Sequence, residues 1–193
     1  MNQKTIGCDK ITSEQPSAWL GHRQFANWLV QTIKPEITVD LGVDFGHSTF
    51  YLAESGIGQV TGVDSFEGDG HAGFRNTYEY AKSIKDNFEF DNVTFIKGYF
   101  DNVAKEWNQQ IDILHIDGFH THEAVQHDYE TWKGFLKPTS VVLFHDTESF
   151  PNDVGRFFHG LSMPKFNFTH SAGLGVLSLN QDLIKLVEET WSV

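Results

Sequence analysis

Along this chain short apolar runs alternate with stretches of helical periodicity. ITVDL (37 to 41), QVTGVD (59 to 64), NVTFIKG (92 to 98), IDILHID (111 to 117) and VVLFHD (141 to 146) have the length and β-branched content of strands. Helical patterns fall between them, near 48 to 54, 74 to 88, 99 to 107 and 121 to 136. Strands that alternate with helices in this way pair in parallel through crossover connections and are covered on both faces. The pattern predicts an α/β fold, doubly wound around a mainly parallel sheet.

The two ends read differently. Ser17 to Lys34 carries apolar residues at 18, 19, 25, 28, 29 and 33 and stops at Pro35, the pattern of an amphipathic helix ended by proline. The first 16 residues read as a loosely ordered arm. After Asp146 a short helix near 153 to 161 precedes KFNFTH (165 to 170) and GVLSL (175 to 179), joined by SAGL. Strands joined by so short a turn must be antiparallel, so the sheet ends in a hairpin. With no repeats or linker-like tracts, one domain is expected over residues 1–193, with 1–35 as an N-terminal arm and helix.

Composition narrows the partners. A net charge of -12 without any Lys/Arg run argues against a surface that tracks nucleic-acid phosphates and leaves small molecules or proteins as the expected partners. The single cysteine, Cys8, rules out an internal disulfide framework and fits a reducing cytoplasm. MNQKTIGCDKITSEQP has no apolar core of signal-peptide length, and no segment reaches roughly 18 uninterrupted apolar residues, so no membrane partner and a cytoplasmic location are expected.

Candidate chemistry gathers at strand ends. In VDLG, GVDS, HIDG and FHDT an expected strand ends in an acid or a glycine-bearing polar turn, on the edge where doubly wound sheets bind ligands. DLGVDFGHST (40 to 49) has glycines at 42 and 46 but fits neither GxGxxG nor a phosphate loop; it can bring backbone close to a ligand while Ser48 and Thr49 cap the next helix. Asp64 follows by about 20 residues, the spacing at which an acid hydrogen-bonds a ribose diol, which implies an adenosine; a cap or turn role is its alternative. ILHIDGFHTHE (113 to 123) could be a zinc cluster, a general-base cluster or polar decoration. On a helix from Thr121, Glu123, His127 and Glu130 share a face opposite the core stripe Val125, Tyr129, Trp132 and Leu136, so they point outward. His115 is expected to pack inside the sheet, and Asp117 and His120 to reach the ligand edge.

The succession VDLGVDFGHST, GVDSFEGDGHAG, ILHIDGFHTHEAVQHDYETWKGFLKP, VVLFHDT and HSAGLGVLSL resembles class I S-adenosylmethionine-dependent methyltransferases over about residues 37 to 180. The likeness is to the group with an IDGxH turn that is often associated with glycosyltransferases. It implies a seven-stranded sheet with a terminal hairpin and S-adenosylmethionine as cofactor. The methionine moiety is placed beside Asp40, Gly42, Gly46, Ser48 and Thr49, and the ribose on Asp64. Ser65 and Phe66 are set against the adenosine, Gly98 and Tyr99 around the adenine, and Asp117 beside the cofactor.

Metal-dependent O-methyltransferases of this fold imply a divalent ion, magnesium, manganese or similar, at Asp117, His145 and Asp146. His145 stands where the family more often has an acid, which suits manganese, iron, cobalt or zinc better than magnesium. His120 is the expected general base, and His71 with Asp69 the next substrate contacts. The implied reaction is O-methylation of a small polar hydroxyl acceptor such as a sugar or glycoside. A metal-dependent hydroxylase on the same fold, a zinc hydrolase and a noncatalytic cofactor-binding module are the rival readings.

Overall fold

The computed structural model describes residues 2–71 and 73–192. Met1 and Val193, at the ends of the expected domain, and Ala72, inside GDGHAG, lie outside the described residues. The strands are β1 (Ile37–Leu41), β2 (Gln59–Asp64), the two-residue β3 (Gly68–Asp69) and β4 (Gly73–Phe74), β5 (Val93–Lys97), β6 (Ile111–Ile116), β7 (Leu136–His145), β8 (Lys165–Phe168) and β9 (Leu174–Ser178). Seven of them form one sheet in the order β5-β2-β1-β6-β7-β9-β8. The first five in that order are parallel; β9 runs antiparallel to both β7 and β8, as the SAGL turn requires. Strand order reverses between β1 and β6, so the chain leaves their carboxyl ends in opposite directions and opens a crevice there.

The helices are α1 (Gln3–Glu14), α2 (Arg23–Ile33), α3 (His47–Ala53), α4 (Tyr78–Asn87), α5 (Phe100–Glu106), α6 (His122–Trp132), α7 (Arg156–Gly160) and α8 (Gln181–Trp191). Alternate residues of the central strands feed two cores. Ile113, Val141 and Leu143 pack with Leu29, Phe50 and Val187, while Leu114, Ile116, Val142 and Phe144 pack with Val125, Trp132 and Phe158. Each such side chain contributes about 1.5–3 kcal/mol by leaving water, so both sheet faces must be covered.

Several local expectations are corrected. The first 16 residues are not a loose arm: Gln3–Glu14 is a helix whose N-cap, Asn2, accepts from the Thr5 amide. It carries too few apolar residues to show a periodic stripe, and tertiary partners hold it: Cys8 and Ile11 are fully buried, and Arg23 bridges Asp9 and Glu54. The helix expected over 17–34 is split into a 3-10 turn, Ala18–His22, and α2, because Ser17 caps Trp19 and redirects the chain. The expected helix at 74–88 begins at Tyr78, after the β3–β4 ribbon. Beyond the pattern read from sequence lies α8, capped by Asn180 and buried through Leu183, Ile184 and Val187.

Candidate active site

Four strand ends build the site. After β1 the backbone turns at Gly42 (φ 97°), whose amide donates to Val63 O at 3.0 Å. A Cβ there would come within 2.0 Å of the Asp117 carbonyl, so only glycine lets the β1 and β6 ends lie side by side. After β2, Asp64 folds back on the same loop: Oδ2 accepts from the Val43 and Asp44 amides, both at 2.8 Å, and Oδ1 from the Phe66 amide at 2.7 Å. Burial pushes the Asp64 carboxyl up from its usual value, and these amides work against that shift.

Behind this wall Asp40 is fully buried. Its Oδ2 accepts from the hydroxyls of Ser48, at 2.8 Å, and Thr49, and its Oδ1 lies 2.6 Å from His115 Nδ1. Ser48 and Thr49 therefore do not cap α3, as their position suggested; the N-cap is Gly46, and both hydroxyls turn back to Asp40. His115 packs inside the sheet as expected.

Asp117 after β6, His120 in the following turn, and His145 with Asp146 at the end of β7 converge. His120 Nε2 is 2.9 Å from Asp146 Oδ2 and 3.3 Å from Asp117 Oδ1. His145 Nδ1 is 3.3 Å from Asp117 Oδ2 and 3.5 Å from Asp146 Oδ2, close enough for ion pairing but not aligned for hydrogen bonds. Burial works to lower both imidazoles, yet the two carboxylates outweigh it and raise His120 to about 9 and His145 to about 10. Burial would raise the carboxyls in turn, but the imidazoles hold Asp117 and Asp146 below the usual carboxylate range. The cluster thus sets two carboxylates against two imidazoles, each kind favouring the charged form of the other.

Above it four rings lie nearly parallel. His71 stacks on Phe119 with centroids 4.1 Å apart, and Phe150 stacks on His120 at 4.6 Å. His71 Nδ1 is 3.4 Å from His120 Nδ1. Asp117, Phe119, His120, His145 and Asp146 border a cavity of about 430 Å³ at the crevice mouth, within the size range of small-molecule sites.

Of the residues expected to hold a cofactor, Gly42, Ser48, Asp64, Ser65, Gly98, Tyr99 and Asp117 line this cavity. Asp40, Gly46 and Thr49 shape the wall from behind. Phe66 is a correction: held at φ 58° by the Asp64 bond to its amide, it is turned into the core against Tyr78 and Phe95 and cannot lie along an adenosine. The expected metal ligands Asp117, His145 and Asp146 do meet, but the donor atoms found within 4.8 Å of one another belong to Asp117, His120 and Asp146.

Sequence reasoning missed Trp19, His47 and Arg75, which also line the cavity. Trp19 stacks on His145 at 5.5 Å and meets His115 edge-on at 4.8 Å, so the N-terminal segment is part of the site wall. His47 is lowered to about 4 by burial, against opposing hydrogen bonds to the Gln15 and Ile11 backbone. Arg75 pairs with Asp44 at 2.6 Å. Only the histidine of GHST beside the glycine loop offered a local signal.

One further acid lies against the IDGFH turn. Asp128, on α6 and only 7% exposed, would leave Oδ2 2.9 Å from a Cβ added at Gly118. Burial, assisted by Asp101, raises its carboxyl to about 7. The folded protein then keeps a proton that the unfolded chain releases near pH 4, so this residue removes stability as pH rises from about 4 to 7 and remains unfavourable above. Asp128→Asn is expected to raise the melting temperature at pH 8 and leave it nearly unchanged at pH 4; equal shifts at both pH values would refute the assignment.

A family model described as a methyltransferase domain matches residues 39–147. Uncharacterized protein y4gI of Sinorhizobium fredii is 32% identical over 178 residues, covering 86% of this chain. The chain spans 20% of that protein's length. A methyltransferase from Geobacter sulfurreducens superposes with a TM-score of 0.72 at 16% identity, covering 93% of this chain and 91% of that one. An O-methyltransferase from Bacillus cereus in complex with S-adenosylhomocysteine gives 0.67 at 16% identity, covering 92% of each chain. TomG from Streptomyces achromogenes, an O-methyltransferase in complex with S-adenosylmethionine, gives 0.67 at 12% identity, covering 92% and 90%. At these identities the structural likeness concerns the fold.

Proposed function

Since this chain belongs to the methyltransferase family whose model covers residues 39–147, and so to the S-adenosylmethionine-dependent enzymes, we propose that it methylates a hydroxyl oxygen of a small polar acceptor. The observation that carries the reading is the Asp117, His120, Asp146 cluster opening onto the same cavity as Gly42 and Asp64. Asp64, with spare acceptor capacity on oxygens already aligned by backbone amides, receives the ribose hydroxyls. Ser65, Gly98 and Tyr99 border the adenosine, and Gly42 lets the backbone approach the methionine.

S-adenosylmethionine supplies a sulfonium methyl group, and as the acceptor oxygen takes that methyl the bonding pair returns to sulfur. His120 takes the hydroxyl proton at Nδ1, because Nε2 faces Asp146 and Asp117, which hold the ring in place and stabilise its protonated form. His71, stacked on Phe119, lies beside the His120 ring. In-line positioning by the cavity walls provides much of the acceleration.

The donor set also fits a divalent ion: two carboxylates face an imidazole, His145, whose ring nitrogens are buried without a hydrogen-bond partner. Asp117, Asp146 and His145 would hold it, leaving His120 free as the base. Such an ion acts as a Lewis acid that lowers the pKa of a bound hydroxyl. A cytoplasmic setting accords with the buried, unpaired Cys8, and among the described residues no helix is long and apolar enough to cross a membrane.

Calorimetry with S-adenosylhomocysteine tests the cofactor site, and labelled methyl transfer across sugars, nucleotide sugars and phenols tests the reaction. Chelator is expected to slow transfer and added manganese to restore it; a full rate after exhaustive chelation removes the ion from the reading. Absence of S-adenosylhomocysteine binding would sink the reading itself.

A further inference from the structure

The His71 ring occupies the place beside the proposed base nitrogen, His120 Nδ1. With His120 Nε2 committed to Asp146 and Asp117, Nδ1 is the nitrogen that receives a proton, and His71 Nδ1 lies 3.4 Å from it. The two imidazoles are tilted by only 12°, with centroids 5.5 Å apart, as in a nearly flat hydrogen-bonded pair. Phe119 stacks on His71 at 4.1 Å and 13°. Phe150 stacks on His71 at 5.3 Å and 20°, and on His120 at 4.6 Å and 14°. One planar ring thus already satisfies the base nitrogen and two aromatic faces.

His71 reaches that position from an exposed turn. It is exposed, at the tip of the β3–β4 ribbon, between Gly68 (φ 69°) and Gly73 (φ 85°). The ribbon pairs Gly68 with Phe74 and Asp69 with Gly73, continues in the Arg75 amide's bond to Glu67 O at 3.0 Å, and is joined to the glycine loop by Arg75 on Asp44, while the Asp69 carboxylate accepts the His71 amide at 2.7 Å. Phe119 and Phe150 lie in the turns that follow β6 and β7; the Phe150 amide donates to Asp146 O at 2.9 Å. The His71 ring is exposed, so its withdrawal uncovers no buried core.

We propose that His71 is a resident stand-in for the acceptor. The acceptor itself is a flat hydroxylated ring, a phenol or hydroxylated heteroaromatic, that displaces the imidazole and stacks against Phe119 and Phe150. Its hydroxyl takes the His71 place at His120 Nδ1, gives that nitrogen its proton and leaves the oxygen to form the new bond to methyl carbon. The reason for a flat ring is thickness: aromatic layers pack at roughly 3.5–4.0 Å, which a planar ring fills and a puckered pyranose with its substituents does not. This rests on the methyl-transfer reading and narrows its acceptor away from sugars.

The test is calorimetric titration of S-adenosylhomocysteine-saturated protein with 2-naphthol and, separately, methyl glucoside. The expected result is binding of 2-naphthol alone, tightened several-fold by His71→Ala, which vacates the slot. Phe119→Leu and Phe150→Leu, which keep apolar volume but lose the flat face, are each expected to weaken it by roughly threefold to tenfold. Preference for methyl glucoside, binding of neither probe, or 2-naphthol binding unchanged or weakened in His71→Ala overturns the proposal. The initial saturation step separates the two levels: if S-adenosylhomocysteine itself does not bind, it is the methyl-transfer reading that fails.

Discussion

Replacing His120 by alanine is expected to lower the rate constant for methyl transfer by about two to four orders of magnitude while leaving S-adenosylhomocysteine binding within a few-fold of the native value. The reason is local. His120 is the proposed base through Nδ1, whereas the proposed nucleoside contacts, Asp64, Ser65 and Gly98, come to the same cavity from other strand ends. The same residue sets the pH profile. Asp117 and Asp146 hold the imidazole protonated up to about pH 9, so the base form is scarce at neutrality and the rate climbs as pH rises through that value. Positive charge brought by the cofactor or an ion disfavours the imidazolium and moves the limb toward neutrality. His120→Ala should flatten the limb as well as lower the rate. Stopped-flow or single-turnover transfer, paired with calorimetry, measures both; a fully active variant, or an unchanged pH limb, shows that another group takes the proton.

The second large effect is expected at Gly42. Gly42→Ala places a methyl group 2.0 Å from the Asp117 carbonyl and demands φ 97° of an L residue. Left-handed strain of about 1–2 kcal/mol combines with overpacking of about 1–3 kcal/mol, and the shift needed to relieve them separates the β1 and β6 ends. Cofactor affinity is expected to fall by on the order of a hundredfold or more, with a lower melting temperature. Gly56→Ala is the control: it shares a positive φ, 74°, but a Cβ there meets nothing within 4 Å, so it carries backbone strain alone. It should cost about 1 kcal/mol and leave cofactor binding intact. Equal loss of cofactor binding in both variants would trace the effect to global stability and not to the approach of the two strand ends.

The parallel strands were legible because each is a short apolar run between turn residues, and the terminal hairpin because SAGL is too short for a crossover. Asp64 and Asp117 were legible for a related reason: a residue just past a strand of a doubly wound sheet falls on the ligand edge whatever its neighbours are, and both line the cavity. α1 was not, because its order comes from Arg23 bridging Asp9 and Glu54 and from burial of Cys8 and Ile11, none of which leaves a periodic trace.

By itself, then, the sequence determined the α/β alternation, the edge on which the chemistry lies and most of the residue types that reach it. Tertiary structure decided which way those side chains face. Asp40 and Thr49 went behind the wall and Phe66 into the core, while Trp19, His47 and Arg75 were brought to the cavity. It alone also set His71 against His120 across 49 positions of chain. The physical reason is that strand ends are placed by local periodicity, whereas the partners of a side chain at those ends are chosen by packing and hydrogen bonding between segments far apart in the chain.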